Sequence, residues 1–228
     1  AKQIILKKDF SKYDQEYNKE TLNEIVSYFD ILSAVNPVEK AQYEYFKAET
    51  YYSVHEFKPA LESYKISLAD YDKTPSQKDL RKLNLDAIFS SIENINFKKK
   101  EKAKELEFAY TKYLSYWPKD KKAQEIYPRL YALYSVEGDF ENMQKALDKY
   151  AANFPQDLKK QQDLYRAQID LLIKKKETQL LAGKINQMQK GYLSFSKQEV
   201  KKSETILANI LFNSFQELNK KGDSKGAL

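Results

Sequence analysis

The sequence of 228 residues contains no cysteine, and this absence excludes disulfide bonds, thiol nucleophiles and thiolate metal sites. It contains one histidine, His55, so a catalytic Ser-His-Asp arrangement would have to use that residue as its base. Nothing near His55 resembles a nucleophile elbow, and we predict that it is a solvated residue in a turn between two helices. The sequence predicts neither a metal site nor a catalytic residue.

Glycine is also scarce, with five residues in the chain and the first of them at Gly138. Scattered glycines cannot form a phosphate-binding loop, and hairpin turns of the Asn-Gly type are missing. No stretch approaches the length of about 18 consecutive apolar residues expected of a membrane-spanning helix. Carboxylates are abundant, but each stands beside lysine on a predicted polar helix face. We therefore predict that the chain is not an enzyme and takes no cofactor and no small-molecule substrate.

What the chain does contain is charge of both signs and many aromatic residues. Its composition, 42% hydrophobic and 32% charged, is typical of a globular protein. The net charge of +6 comes mostly from lysines that alternate with Asp and Glu, as on solvated helix faces. The 18 tyrosines suit two roles, because tyrosine packs between helices and is also enriched in binding surfaces.

Apolar residues recur at the spacing of an α-helix along most of the chain. Between residues 17 and 35 they stand three or four positions apart, at Leu22, Ile25, Val26, Phe29 and Leu32. The same spacing predicts helices near 38–55, 57–71, 76–95, 98–117, 120–136, 139–153, 157–176, 178–195 and 197–220. We expect Pro128 to kink or restart the helix that contains it. The short connections predict antiparallel helix hairpins, and the fold class is all-α.

One segment of twelve residues occurs twice in the sequence in related form. AYTKYLSYWPKD, residues 109–120, reappears 37 residues further on as ALDKYAANFPQD, residues 146–157, with five identical positions. Ala109 and Ala146 each stand four residues before a tyrosine, so each alanine would let a neighbouring helix approach while the tyrosine fills the gap beside it. The aromatic residue and proline that follow end the helix. A repeated helix end indicates repeated packing, and repeats of roughly 34–45 residues are typical of helical solenoids.

Residues 127–155 carry a pattern of aromatic, apolar and turn residues at a fixed spacing. The pattern consists of Tyr127, Leu130, Tyr131 and Tyr134, then Gly138, Asp139 and Phe140, then Met143, Leu147 and Pro155. It resembles the tetratricopeptide repeat, in which two helices flank a tight turn and a proline closes the second helix. Tyr131 and Met143 depart from the small residues of the family, which implies a wider helix crossing.

Residues 45–68 resemble the same repeat less regularly. The signature positions are occupied by Ala48, Tyr51, Ala60 and Tyr64, with His55, Glu56 and Phe57 in the turn. Glu44 and Lys47 stand where large apolar residues are expected. We predict one repeat domain over residues 1–222, with its best repeats at 41–72 and 124–157 and degenerate repeats elsewhere. Residues 223–228 are predicted to be a flexible tail.

The resemblance implies a right-handed α-solenoid of antiparallel hairpins with about ten helices. It also implies a non-enzymatic scaffold that holds a peptide or partner protein on a concave face lined by the first helix of each repeat. The positions on that face of the repeat at 41–72 are Gln42, Tyr45, Glu49 and Tyr52. These predicted partner-binding residues could hold an extended, basic or amide-rich segment. The alternative is that Tyr45 and Tyr52 are core residues packed between helices.

Lysine-rich edges and this helix ending are similar to those of bacterial cell-envelope members of the family. The similarity implies a periplasmic or outer-membrane-associated location, with the cytoplasm as the alternative, and a membrane contact only through an anchor or partner outside this sequence. The alternative function is nucleic-acid binding, since the chain is basic and rich in aromatic residues. Against it, lysines are mixed with acids and only three arginines are present, although arginine is favoured for phosphate and guanine recognition.

Overall fold

A computed structural model of the protein describes residues 19–75 and 79–220. These ranges contain ten α-helices and no β-strand, which confirms the all-α prediction. The helices are α1 (Lys19–Val35), α2 (Lys40–Ser53), α3 (Phe57–Lys73), α4 (Arg81–Asn94), α5 (Lys99–Tyr116), α6 (Lys121–Glu137), α7 (Phe140–Asn153), α8 (Leu158–Lys175), α9 (Thr178–Gln189) and α10 (Lys197–Lys220). Two 3₁₀ turns, Pro37–Glu39 and Tyr192–Ser194, precede α2 and α10.

Two predicted boundaries differ from the observed helices by five residues or more, and one predicted interruption is not observed. The helix predicted from residue 76 begins at Arg81, where the Asp79 carboxylate accepts the Arg81 backbone N–H at 3.0 Å; residues 76–78 lie outside the described ranges. The helix predicted to reach residue 195 ends at Gln189, because Gly191 turns the backbone into the left-handed region at φ 86°. Pro128 does not restart a helix, since α6 continues through it. The predicted tail at 223–228 lies outside the described residues.

The chain divides into two compact units, residues 1–115 and 116–228. In the first unit each of α1, α2 and α3 packs against the next helix along the chain. Ion pairs join α5 to α3, from Lys65 to Glu105 at 2.8 Å and from Lys112 to Asp72 at 2.9 Å. The apolar core of this unit includes Phe29, Ala48, Leu61, Leu68, Leu85, Ile88 and Ile92.

Buried polar side chains also connect the helices of the first unit. The Ser67 hydroxyl donates to the Ala41 carbonyl at 2.6 Å, and the Asn84 amide donates to the Ser67 hydroxyl at 2.9 Å, which ties α2, α3 and α4 together. The Ser67 and Asn84 side chains are fully buried, so a broken hydrogen bond between these groups could not be replaced by one to water.

Glu44 and Lys47, which stand in apolar positions of the repeat pattern, turn inward all the same. Glu44 is buried, and the Lys47 ammonium lies 3.8 Å from its carboxylate and 2.7 Å from that of Asp30 on α1. Burial raises the pKa of Glu44 above its ordinary value. The α1–α2 contact therefore uses a charged group where the repeat family uses an apolar one.

The second unit is a run of five helices in which each contacts its successor. The helix α6 packs against α7 and also against α8, and α8, α9 and α10 follow in order. One link between α6 and α8 is the Tyr131 hydroxyl, which donates to the Leu164 carbonyl at 2.6 Å. The core of this unit includes Ala123, Tyr127, Met143, Leu147, Tyr165, Leu172 and Leu181.

The duplicated segment joins the end of one helix to the start of the next. Ala109 and Ala146 are 0% and 5% exposed, so the prediction that both are buried is confirmed. After the aromatic residue and proline, each copy ends in an aspartate that caps the following helix. Asp120 accepts the Ala123 N–H of α6 at 2.6 Å, and Asp157 accepts the Lys160 N–H of α8 at 3.3 Å.

Three helices end in the same kind of turn, at His55 after α2, Gly138 after α6 and Lys176 after α8. Each of these residues is left-handed, with φ of 61°, 74° and 57°. In each turn the N–H of the following residue bonds a carbonyl five positions back, at 3.0 Å. This is the Schellman ending of helices. His55 is exposed in its turn, as the sequence predicts.

Candidate functional site

The predicted partner-binding residues all lie on α2. Glu49 is exposed, whereas Gln42, Tyr45 and Tyr52 are half-buried. Their spacings of three and four residues place them along one side of the helix. The structure therefore shows a row with one accessible carboxylate between two tyrosines.

Tyr64 on α3 completes this row. Its hydroxyl donates to Oε1 of Glu49 at 2.6 Å, and the Glu49 carboxylate also raises the pKa of the Tyr45 hydroxyl. The ring centroid of Tyr64 lies 5.8 Å from that of Tyr45 and 6.5 Å from that of Tyr52. We call Tyr45, Glu49, Tyr52 and Tyr64 the Glu49 cluster. Gln42 takes no part in these contacts.

Tyr52 links the cluster to neighbouring elements. Its ring stands edge-on to that of Phe57, with centroids 5.1 Å apart, and its hydroxyl accepts from the Asn94 amide of α4 at 3.3 Å. Tyr45 in turn packs beside the buried residues Ala41, Tyr71 and Leu80. Each tyrosine thus has one packed side and one partly accessible side, and the core alternative for the two residues stays open.

Two tyrosines of the cluster, Tyr45 and Tyr64, remain neutral. Burial raises the pKa of Tyr64 and of Tyr45, and the neighbouring Glu49 carboxylate raises both further. The Tyr64 hydroxyl, which stays protonated, therefore holds the Glu49 carboxylate in position. The cluster therefore presents a negative charge between aromatic rings, an arrangement suited to a cationic side chain.

The face of α6 that the sequence pattern equates with this row carries no such cluster. Its residues are Glu125, Pro128, Ala132 and Ser135, and Glu125 is exposed with Arg129 at 3.9 Å. The sequence identifies the row on α2 because it depends on spacing within one helix. It assigns Tyr64 to packing and does not single out Asn94, because their positions depend on how α3 and α4 pack against α2.

Within 19–75 and 79–220, no three His, Cys, Asp or Glu side chains come together in a group able to hold a metal ion. No helix in those ranges has the length and apolar character needed to cross a membrane. The chain matches no protein-family model, and a search of curated proteins found no significant match.

Proposed function

We propose that this chain is a non-enzymatic scaffold that binds an extended segment of a partner protein at the Glu49 cluster. The observation that carries the proposal is an exposed carboxylate that accepts the Tyr64 hydroxyl and is flanked by three tyrosine rings. The ligand that matches it is a peptide with lysine or arginine side chains and with amide groups between them.

The helical-repeat character of the chain supports a scaffold. Three helix ends share one turn geometry, and two of them, Gly138 and Lys176, stand 38 residues apart. The contact of α6 with both α7 and α8 is the packing expected when hairpins stack. We propose that these hairpins are tetratricopeptide-like repeats in a right-handed solenoid, whose first helices form the binding face.

The chemistry of the cluster supports a basic peptide. Hydrogen bonds to charged groups contribute about 1.5–3 kcal/mol each, and a cation over a tyrosine ring adds about 0.5–2 kcal/mol. An extended peptide alternates its side chains, so one residue in two could reach the row on α2. Gln42 in the row and the Asn94 amide on α4 beside it suit amide side chains of the same peptide.

The test is fluorescence anisotropy with a labelled peptide of alternating arginine and glutamine. A peptide of alternating glutamate and glutamine serves as the opposite-charge probe. We expect the basic peptide to bind and Glu49→Gln to weaken it roughly tenfold or more, the loss expected for one charged hydrogen bond. Unchanged binding by Glu49→Gln would contradict the proposal.

Glu125→Gln is the control, because Glu125 is an exposed glutamate on the compared face of α6, at the position equivalent to Gln42. It should bind the peptide like the wild type. Tyr52→Ala should also weaken binding, with a loss of stability well below the roughly 3–5 kcal/mol typical of a truncated core aromatic. A loss of that full size would make Tyr52 a core residue and remove it from the binding surface.

A further inference from the structure

Lys184 lies on the packed face of α9, within a stripe of apolar residues. Leu181, Ile185 and Met188 are buried, and Lys184 stands three residues after the first of them and four before the last. Helical geometry therefore turns Lys184 towards the same neighbours, and its side chain is half-buried. A lysine in such a stripe must be paired or lose its charge.

Three helices converge on the amine of Lys184. Its Nζ lies 5.1 Å from the ring centroid of Tyr165 on α8 and donates to the Gln144 amide oxygen on α7. The Tyr165 hydroxyl donates to the backbone carbonyl of Lys184 at 2.8 Å, which fixes the ring relative to α9. The amine is thus held by a neutral oxygen and an aromatic face.

The nearest negative charge is already engaged by other donors. The Asp148 carboxylate accepts from the Tyr192 hydroxyl at 2.9 Å and from the Gln144 amide at 2.6 Å. Tyr192 lies in the turn after α9. Three other residues of this turn, Gly191, Leu193 and Ser194, have positive φ. The titratable groups that face Lys184 are therefore Asp148 from α7, Tyr165 from α8 and Tyr192 from this turn.

Burial lowers the pKa of Lys184 to about 8, although the charge of Asp148 acts in the opposite direction. Burial and the hydrogen bond to Asp148 raise the pKa of Tyr192 to about 12, and burial also raises the pKa of Tyr165. Both tyrosines are therefore neutral over the range in which Lys184 titrates. With a pKa of about 8, roughly a tenth of Lys184 is a free amine at pH 7, and the free amine is the nucleophilic form.

We propose that Lys184 is an acylation site that takes an acyl group from an activated donor, an acyl phosphate or a thioester. The amine nitrogen bonds to the carbonyl carbon of the donor, and the bond from that carbon to the phosphate oxygen or the sulfur breaks. Phosphate or thiolate leaves, and the amine proton passes to water. The product is a neutral amide, which suits a half-buried position better than an ammonium does.

The test measures acetylation of the native protein by acetyl phosphate, lysine by lysine, with mass spectrometry. Lys190, exposed at the end of the same helix, is the internal reference. At pH 7.5 we expect Lys184 to react on the order of tenfold faster, because a larger neutral fraction outweighs its lower basicity. Its rate should level off above about pH 8. Equal rates for the two lysines in the native protein would overturn the proposal.

Two further measurements connect the reactivity of Lys184 to the residues around it. We call these residues, Gln144, Asp148, Tyr165 and Tyr192, together with Lys184 the Lys184 cluster. In the urea-unfolded chain Lys184 and Lys190 should react equally, and selectivity that persists there would contradict a role for the fold. Gln144→Ala removes the oxygen that holds the amine, so the rate ratio should fall towards one in a protein that still melts cooperatively. Gln198→Ala, an exposed glutamine outside the cluster, should keep the wild-type ratio. A Gln144→Ala protein with undiminished selectivity would also overturn the proposal.

Discussion

Tyrosine residues stabilise contacts between helices in this chain through both the ring and the hydroxyl group. The rings of Tyr64, Tyr131 and Tyr165 are buried, while their hydroxyls donate to groups on another helix. A buried hydroxyl without an acceptor would cost about 1–3 kcal/mol, so these hydrogen bonds restrict how the helices can pack. The abundance of tyrosine is thus explained largely by packing, and the Glu49 cluster is the place where such packing remains accessible.

The first prediction at this scale concerns the small residue in the duplicated segment. Ala146 is 5% exposed on α7, so Ala146→Leu inserts a side chain where a helix approaches closely. We expect the free energy of unfolding, measured in urea, to fall by about 1–3 kcal/mol. Ala152→Leu, at an exposed position of the same helix, is the control and should change stability little. Equal effects at both positions would show that the buried face is assigned wrongly.

The second prediction concerns how the stability of the fold depends on pH through Glu199, in the first turn of α10. Glu199 forms a capping box with Ser196, and its carboxylate pairs with Arg166 at 2.7 Å. These hydrogen bonds, those of Ser196 first, lower the pKa of Glu199 to about 2. A lowered pKa stabilises the fold above the ordinary value of 4.5, and this contribution is lost as the pH falls towards about 2.

Glu199→Gln keeps a capping box and removes the charge. Because the group is largely solvent-screened, we expect a loss of only about 0.5–1 kcal/mol at pH 7. Urea unfolding at a series of pH values measures the effect. The difference in free energy of unfolding between the variant and the wild type should become smaller as the pH falls below about 4.5. A difference that stays constant down to pH 3 would rule out the charge of Glu199 as its cause.

At the scale of secondary-structure elements, the turns distinguish glycines that are required from glycines that are not. Gly138 ends α6 at φ 74°, whereas Gly183 lies inside α9 with ordinary helical backbone. A Cβ added at either position would meet no atom within 4 Å. Any effect of alanine at these positions therefore comes from the backbone and not from a clash.

Gly138→Ala and Gly183→Ala should consequently change stability in opposite directions. A left-handed alanine costs about 1–2 kcal/mol, so Gly138→Ala should lower the melting temperature. Alanine inside a helix is preferred over glycine by about 0.5–1 kcal/mol, so Gly183→Ala should raise it. Thermal unfolding followed by circular dichroism measures both, and changes of the same sign would contradict the turn geometry.

The elements also show what the sequence could and could not predict. Apolar spacing predicts all ten helices, and the Gly138–Asp139 pair predicts its turn, because these signals are local. The end of α9 at Gln189 was missed, since Gly191 interrupts a pattern that otherwise continues. The Lys184 cluster was missed although Lys184 stands in an apolar stripe, because Gln144, Tyr165 and Tyr192 come from three other elements.

At the scale of the whole molecule, some of the lysines lie in ion pairs. In the described residues Lys40, Lys47, Lys65, Lys112 and Lys145 each pair with a carboxylate. Paired lysines present less positive potential to a phosphate backbone than free ones do.

The prediction of a single domain over residues 1–222 has a direct consequence. If each hairpin relies on its neighbours to cover its apolar face, a chain cut near Pro118 should give two partly unfolded fragments. Circular dichroism and thermal melting of fragments 1–117 and 118–228 test this, with the intact chain as the reference. Two fragments that each melt sharply would instead establish two independent domains.

The Asp157 carboxylate lies between α7 and α8 and accepts hydrogen bonds from both helices, which has a consequence for local unfolding of the two helix ends. It accepts the Tyr150 hydroxyl near the end of α7 and the Lys160 N–H in the first turn of α8. When either helix end frays, the other loses a partner. The amide protons of the last turn of α7 and the first turn of α8 should therefore exchange with deuterium at a common rate, as one opening unit, rather than independently.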